Sequence, residues 1–436
     1  MGNRTRLVLG SALMLFLELA LIRWAGANVV HLSFFSNFVL LGSFLGIGLG
    51  FLLARKDRPA RPYYSLVALL ALVGFILSNP VTIDRASSDV IFFTSLQTTG
   101  PKPWLSLSVI FIAVAVIMAG PGEIVGSCFH HLPRLEAYRL DLIGSLVGIV
   151  AFTLLSFAQA PSLVWGAITA TLYVVLLGRP GRGLAIAAAV GLVALLAGET
   201  FVAPATTGES VSWSPYYKVT TYLQDEGRSL AVRVNGIPHQ RVTTAALRER
   251  QQPQYVIPYR RLVGNPLDDV LIVGAGTGTD VAIALRKGAK RIDAVEIDPA
   301  LLQLGRDRNP DHAYQDPRVT THVDDGRSTL AEEELPASFR IAGNLALRRD
   351  GVERHNHLGK RIDSLVGQFE PRHSRGGHPV ADHVLEALKR SSPNPRIPCE
   401  SGALLRAVRI VAVAAGAQLR VRFLDVRGYH GHHGND

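Results

Sequence analysis

Three glycines and two acids carry the plainest chemistry in this chain. Asp269–Ala300 reads DVLIVGAGTGTDVAIALRKGAKRIDAVEIDPA. Val270–Val273 is a short apolar run of β character, and Gly274, Gly276 and Gly278 follow it at alternate positions. Asp280–Lys287 then sets Val281, Ile283, Ala284 and Leu285 at helical spacing, and Ile292–Val295 is a second β run ending on Glu296. Glycine lets the backbone approach a ligand, and a helix N-terminus offers N–H groups with no intrahelical partner. An acid about 20 residues past such a loop can accept both ribose hydroxyls of a nucleoside. A dinucleotide fingerprint needs its third glycine at position 279, which is Thr279. The loop is therefore G-x-G-x-G, a form that suits S-adenosylmethionine or its decarboxylated form. Gly274, Gly276, Gly278, Asp280 in the first helical turn and Glu296 form the candidate cofactor set. A further strand, Arg318–Val323, leads into Asp324-Asp325-Gly326, where Asp325 is placed to accept a hydrogen bond from an adenine amino group.

These residues need a scaffold, and the sequence upstream supplies two kinds. Tyr216–Leu223 and Ser229–Val234 carry alternating or β-branched residues around the turn signal Asp225-Glu226-Gly227, which predicts a hairpin. Asn235-Gly236 is a second turn signal. Arg248–Arg261 reads as a linking helix interrupted by Pro253 and Pro258. Before residue 200 the chain is far more apolar than its mean hydropathy of +0.23 suggests. A transmembrane helix needs about 20 mostly apolar residues. Leu7–Trp24, Val29–Ala54, Tyr64–Ser78, Leu105–Gly120, Leu142–Ala158, Leu163–Gly178 and Gly183–Gly198 are the candidates. The first is not a cleavable signal, because it lacks a small-residue cleavage site and runs into a second apolar segment.

Charge then orients the chain. Arg4, Arg6, Arg55, Lys56, Arg58, Arg61, Arg179 and Arg182 lie beside apolar segments, so part of the net charge of +10 reports membrane orientation. It does not point to nucleic acid, since no basic helix with interleaved aromatics is present. Basic loops favour the cytoplasmic side of a membrane, which places the N-terminus in the cytoplasm, and adenosyl cofactors are cytoplasmic too. An even number of crossings is therefore expected against seven candidates, with Tyr64–Ser78 and Gly183–Gly198 the weakest. Within the spans, Glu18 and Arg23 predict polar contacts, as do Tyr138, Asp141, Gly144 and Ser145. Gly42, Gly46 and Gly50 predict close helix packing. Cys128 and Cys399 form no C-x-x-C or zinc spacing, and Cys128 reads as a packing residue.

Taken in order, Ser214-Pro215-Tyr216, Leu230…Asn235-Gly236…Gln240, Gly274–Gly278, Val295-Glu296-Ile297-Asp298 and Asp325-Gly326 resemble spermidine synthase-like proteins. With Glu18, Arg23 and Tyr138…Asp141…Gly144-Ser145, the chain resembles the bacterial group that fuses a multi-pass membrane region to such a domain. The resemblance covers about residues 1–330. It implies an N-terminal α-helical transmembrane bundle (1–200), a small β-rich subdomain with a linker helix (209–262) and a Rossmann-like nucleoside-binding half-domain of the class I methyltransferase type (263–330). It also implies that Gln240, Glu296 and Asp325 hold the nucleoside of decarboxylated S-adenosylmethionine, that no metal is used, and that the protein sits in the bacterial inner membrane. The implied partners are the bilayer, a small amine or other small-molecule acceptor, and a second copy of the chain.

The departures are as informative as the matches. The family usually carries an acid inside the loop, where this chain has Thr277, and a Tyr-x-Glu pair before it, where Glu249 and Tyr255 stand in the wrong order. Those acids bind the cationic amine. The catalytic acid is expected about 15 to 20 residues beyond Asp325-Gly326, and no segment after Leu330 reads as its strand, so the catalytic residue stays unassigned. Residues 331–436 hold 14 Arg against 2 Lys, and 8 of the 14 His. GC-rich sequence read out of frame drifts toward Arg, Pro, Gly, Ala and His, so a frame shift near Thr329 is the reading preferred for this irregular tail; a divergent or disordered tail is the alternative. His430, His432 and His433 lack supporting acids and are read as incidental. The leading function is aminopropyl transfer, impaired in this chain. An S-adenosylmethionine-dependent methyltransferase and a non-enzymatic transporter or sensor with a nucleoside-binding domain are the alternatives.

Overall fold

The computed structural model describes residues 1–33, 35, 37–56, 62–83, 98–177, 182–260, 267–331, 339–342 and 345–348. The chain forms two compact units, Met1–Arg354 and His355–Asp436. The second lies outside the described residues, as do the expectations for Arg58, Arg61, Arg179, Cys399 and the histidines of the terminus. The first unit begins with seven apolar helices: α1 (Asn3–Asn28), α2 (Asn37–Leu53), α3 (Tyr63–Ser78), α4 (Pro103–Phe129), α5 (Arg134–Phe157), α6 (Ser162–Leu177) and α7 (Arg182–Ala197). A π turn, Gly198–Val202, continues α7 into α8 (Ala203–Thr207). A two-stranded ribbon, β1 (Thr82–Ile83) with β2 (Thr98–Thr99), precedes α4.

Four of these segments are long and apolar enough to cross a membrane: Asn3–Asn28, Pro103–Phe129, Arg134–Phe157 and Arg182–Thr207. Helices α2, α3 and α6 have 17, 16 and 16 residues. At about 1.5 Å per residue they fall short of a hydrocarbon core of about 30 Å. Two sequence expectations change. The segment predicted as Gly183–Gly198 belongs to one of the long helices, because it runs on to Thr207. Val29–Ala54 is not one span; Val29 is extended, Val30–Ser33 forms a 3-10 turn, and the polar residues Asn28, His31, Ser33 and Asn37 separate α1 from α2.

Small residues set how closely the helices pack. A Cβ at Gly46 or Gly50 of α2 would strike the backbone carbonyls of Ala115 and Ala119 on α4, and one at Gly148 of α5 would strike that of Ala12 on α1. Beside Gly144, Ser11 Oγ donates to Asp141 at 2.5 Å, so part of the predicted polar set is a helix–helix contact. Tyr138 of that set is exposed. Glu18 is buried in α1, its Oε1 without a hydrogen-bond partner among the described residues, and Arg23 turns away from it toward Trp165 and Trp213. Cys128 is buried and free.

The second half of the unit is built of sheets. β3 (Ser210–Trp213), β4 (Lys218–Gln224), β5 (Ser229–Val234) and β6 (Ile237–Val242) make an antiparallel meander, with a register shift between Val232 and Arg233. Its turns use the predicted residues in left-handed conformation: Asp225, Glu226 and Gly227 in one, and Asn235 with Gly236 in the other. The predicted linking helix is three shorter pieces, α9 (Ala245–Gln251), a 3-10 turn Pro253–Val256 and α10 (Ile257–Arg260). Pro253 and Pro258 account for the breaks.

The five-stranded sheet comprises β7 (Asp269–Val273), β8 (Arg291–Glu296), β9 (Val319–Val323), β10 (Phe339–Ala342) and β11 (Leu345–Arg348), in the order β11-β10-β7-β8-β9. All pairs are parallel except β10 with β11. Helices α11 (Thr279–Arg286), α12 (Pro299–Arg308) and α13 (Gly326–Ala331) connect or follow its strands. Val270, Ile272, Val281, Ile283, Ile292, Ala294 and Leu302 form its core. The tail is thus not irregular throughout: four residues of it pair with β7 and four more form an edge. From β7 the chain winds one way to β8 and β9, then crosses to β10 on the other side. Such a reversal leaves a crevice at the C-terminal ends of the strands, where open α/β sheets bind ligands.

Candidate functional site

The glycine loop stands at that reversal. Gly274, Gly276 and Gly278 have φ of 73°, 55° and 84°, a region that side chains disfavour. The N–H groups of Gly274 and Ala275 both donate to the Val295 carbonyl, at 2.9 and 3.0 Å, which folds the loop back over the end of β8. Gly274 faces open space: a Cβ built there meets no atom within 4 Å.

Glu296 holds the loop from the neighbouring strand. It is only 6% exposed. One carboxylate oxygen accepts the Gly276 N–H at 2.7 Å and the other accepts the Asp298 N–H at 3.0 Å. Burial pushes its carboxyl pKa up, the Asp298 charge adds to this, and the backbone donors oppose it. A carboxylate offers about four lone-pair directions, so the backbone donors of Gly276, Ile297 and Asp298 still leave some acceptor capacity for a ligand. Gln240, on β6, lies over the same loop. Its amide oxygen accepts from the Thr277 N–H at 3.1 Å and the Thr277 hydroxyl at 2.7 Å, and a Cβ at Gly276 would collide with its amide. The structure therefore brings Gln240, Gly276, Thr277 and Glu296 into one hydrogen-bonded cluster. The antiparallel meander and the five-stranded sheet meet through it.

Residues that the sequence reading did not name hold the loop's other contacts. Tyr314 donates its hydroxyl to the Gly276 carbonyl at 2.8 Å, and buried Asn309 donates its amide to the Thr277 carbonyl at 2.8 Å. A Cβ at Gly278 would press on both side chains at 3.1–3.3 Å, and one at Gly305 would meet Thr277 and Tyr314 more closely still. The Asn309-Pro310 turn signal was the sole local hint of this group.

Two further predicted acids lie outside the cluster. Asp325 is exposed just beyond β9, where Val323 pairs with Glu296. Its neighbour Asp324 accepts from the Asp325 N–H at 2.7 Å and from Ser328 at 3.0 Å, which lowers the Asp324 pKa. Asp280 stands apart from the Gln240–Glu296 cluster. Burial pushes its carboxyl up to about 6, opposed by the charge of Arg248. Tyr259 and Tyr314 both feel the Asp280 charge, and burial with that charge holds their phenols above the usual range. The Tyr217 phenol is likewise raised, by burial and then by the charges of Asp298 and Glu296.

Strand β10 occupies the position beside β7, with Ala342 in register with Val273. Its residues, Phe339, Arg340, Ile341 and Ala342, include no acid, and the sequence continues Gly343-Asn344. Among the described residues no group of three or more His, Cys, Asp or Glu could hold a metal ion.

Comparison with known proteins is sparse. No family model matches the chain, and no curated protein matches it. Solved structures that match include a crystal structure of a probable spermidine synthase from Corynebacterium glutamicum ATCC 13032, 21% identical with a TM-score of 0.25. The alignment covers 30% of this chain and 48% of that one, so the chain spans about half the length of that structure.

Proposed function

We propose that the chain is a membrane-bound transferase of the spermidine synthase type, using decarboxylated S-adenosylmethionine and a small amine acceptor. The observation that carries the reading is Glu296, a buried carboxylate that bridges Gly276 and Asp298 and keeps acceptor capacity toward the crevice. The residues fit an adenosyl group: Gly274 leaves open space, Glu296 can take ribose hydroxyls, and exposed Asp325 can take the adenine amino group. A bound sulfonium nucleoside supplies an electrophilic carbon next to a positively charged sulfur. The chain's own part is to fix that group through the glycine loop, Glu296 and Gln240, so that an amine can approach in line; proximity supplies much of the rate in such reactions. No residue is assigned as base. The four long apolar segments support a bilayer as partner, with the bacterial inner membrane and a cytoplasmic glycine loop as the arrangement that gives access to the cofactor.

One observation favours methyl transfer from S-adenosylmethionine instead. Thr277 is buried and committed to Gln240, at the loop position where an amine-binding acid would be needed. Incubating the purified full chain with either nucleoside and putrescine, then resolving the products by mass spectrometry, separates the readings. Methylthioadenosine with an aminopropylated amine supports the first, and S-adenosylhomocysteine the second. Binding of neither nucleoside refutes both and leaves transport, tested by uptake in vesicles.

A further inference from the structure

The first apolar helix reaches the glycine loop through an unbroken chain of hydrogen bonds. Arg23 lies near the C-terminal end of α1. Its guanidinium is 5.1 Å from the ring centre of Trp165 on α6 and 5.4 Å from that of Trp213 on β3, and the two rings meet edge to face at 4.7 Å. Cation–π contact on two faces restricts where this charge can sit. From there Nη2 donates to the Ser214 carbonyl. Ser214 is fully buried; its hydroxyl donates to Asp298 Oδ2 at 2.6 Å and accepts the N–H groups of Tyr216 and Tyr217 at 3.1 and 2.8 Å. Asp298 is also fully buried. It caps α12 by accepting the Ala300 N–H at 2.9 Å and donates its own N–H to Glu296, whose other oxygen holds Gly276.

A second polar network joins the helices to the meander close by. Lys218 donates to Glu199 at 2.6 Å and Asn28 at 2.7 Å, while Glu199 also accepts from Trp24 at 2.8 Å and Ser162 at 2.9 Å. No hydrogen bond described for its side chains reaches Ser214, Asp298, Glu296 or the loop. Both networks tie α1 and α6 to the meander, the first at the end of β3 and the second at β4, and Lys218 also lies 5.7 Å from the Trp213 ring centre; among the hydrogen bonds described, those through Arg23 lead to the candidate ligand acid.

We propose that Arg23 is a positioning residue for the glycine-loop site, holding Glu296 in place through Ser214 and Asp298, so that the packing of the helical region sets the affinity for an adenosyl nucleoside. The affinity part rests on the nucleoside reading above. The positioning part does not, and coupling along such a chain must be measured.

The test uses the full chain in detergent, with hydrogen exchange of the amides in 274–280 and calorimetric titration of S-adenosylmethionine. Arg23→Ala should speed loop exchange several-fold and weaken the nucleoside about tenfold, the scale of one hydrogen bond to a charged group. Arg23→Lys keeps the charge and a donor and should restore most of both. Glu199→Gln loosens the neighbouring network and should leave both near wild type. In a double-mutant cycle, Arg23→Ala should add little on top of Glu296→Gln. Should Arg23→Ala fail to fold, Ser214→Ala cuts the chain while leaving the helices intact, and the same loop exchange is expected. Wild-type loop exchange in Arg23→Ala, or equal changes in Arg23→Ala and Glu199→Gln, overturns the proposal. If the wild type binds no adenosyl ligand, the nucleoside reading falls, and loop exchange still decides the positioning.

Discussion

Replacing Glu296 by Gln tests the candidate site with the least disturbance of shape. One oxygen is kept and the other becomes an amide nitrogen, so at least one of the backbone donors from Gly276, Ile297 and Asp298 now faces an N–H group. If the amide oxygen stays on Gly276 at 2.7 Å, the bond lost is that from Asp298 at 3.0 Å. A hydrogen bond to a charged group contributes about 1.5–3 kcal/mol. For folding this loss is partly offset, because burial already disfavours the ionised Glu296 and a neutral amide escapes that cost. The fold should therefore lose no more than about 1–2 kcal/mol. The ligand has no such offset. Ribose hydroxyls lose a charged acceptor, so affinity should fall about 10- to 150-fold. Calorimetry with S-adenosylmethionine and methylthioadenosine on the full chain, beside thermal unfolding, measures both effects. The pH dependence follows from the sign of the shift. Because the folded pKa is raised above 4.5, wild-type affinity should weaken as pH falls through that raised value, whereas the Gln variant stays flat. Affinity within twofold of wild type in a variant with an unchanged melting profile would refute the assignment.

Gly276→Ala should cost about 1–3 kcal/mol, since its φ is 55° and the new Cβ meets the Gln240 amide. Adding Gln240→Ala should recover part of that cost, and strictly additive losses in denaturant would contradict the contact. Asp280→Asn should remove a stability change with a definite sign: the folded pKa near 6 exceeds the ordinary 3.8, so wild-type stability falls as pH rises across that window. Denaturant titration should find the variant more stable than wild type at pH 7 by at most about 3 kcal/mol, with little gain at pH 3.5; an equal difference at both would argue against it. Reporters fused before Met1 and after Gly208 should sit on the same side of the membrane if the four long segments are the ones that cross, and opposite sides would refute this. Restoring the reading frame after Ser328 should raise transfer turnover by at least about 100-fold over the chain as it stands, and comparable turnover would show that a base was overlooked.

Legibility in the sequence followed locality. β7, the glycine loop, α11 and β8 lie within Asp269–Glu296, where period-2 and period-3.6 patterns alternate over short stretches, and each formed within a residue or so of its reading. The hairpin turns at Asp225–Gly227 and Asn235-Gly236 were equally readable, because left-handed conformations select those residues. What escaped was non-local. Asn309, Tyr314 and Gly305 carry no pattern that ties them to Thr277, since their contacts arise only after α12 packs across the loop. In the sequence Arg23 reads as a charge in an apolar helix that predicts a polar contact, yet the residue it bonds lies 191 positions away. Helix ends in the apolar half were unreliable for another reason: hydropathy continues across Asn28–Asn37, while the polar residues there end one helix and start the next.

Binding and chemistry draw on different parts of the five-stranded sheet. On the proposed reading, the nucleoside side of the crevice would be assembled from β7, β8 and β9, whose ends deliver Gly274–Gly278, Glu296 and Asp325. On that reading a base for an incoming amine would come from the other side of the reversal, because the nucleoside would cover the first. β10 fills that side, and its register with β7 sets Ala342 opposite Val273, one residue before Gly274. A general base must come within hydrogen-bond reach of the proton it removes. Here the positions that follow are Gly343 and Asn344. On the transferase reading proposed above, the strand beside β7 is kept with no acid among its described residues, so nucleoside binding is expected to be better preserved in this chain than transfer.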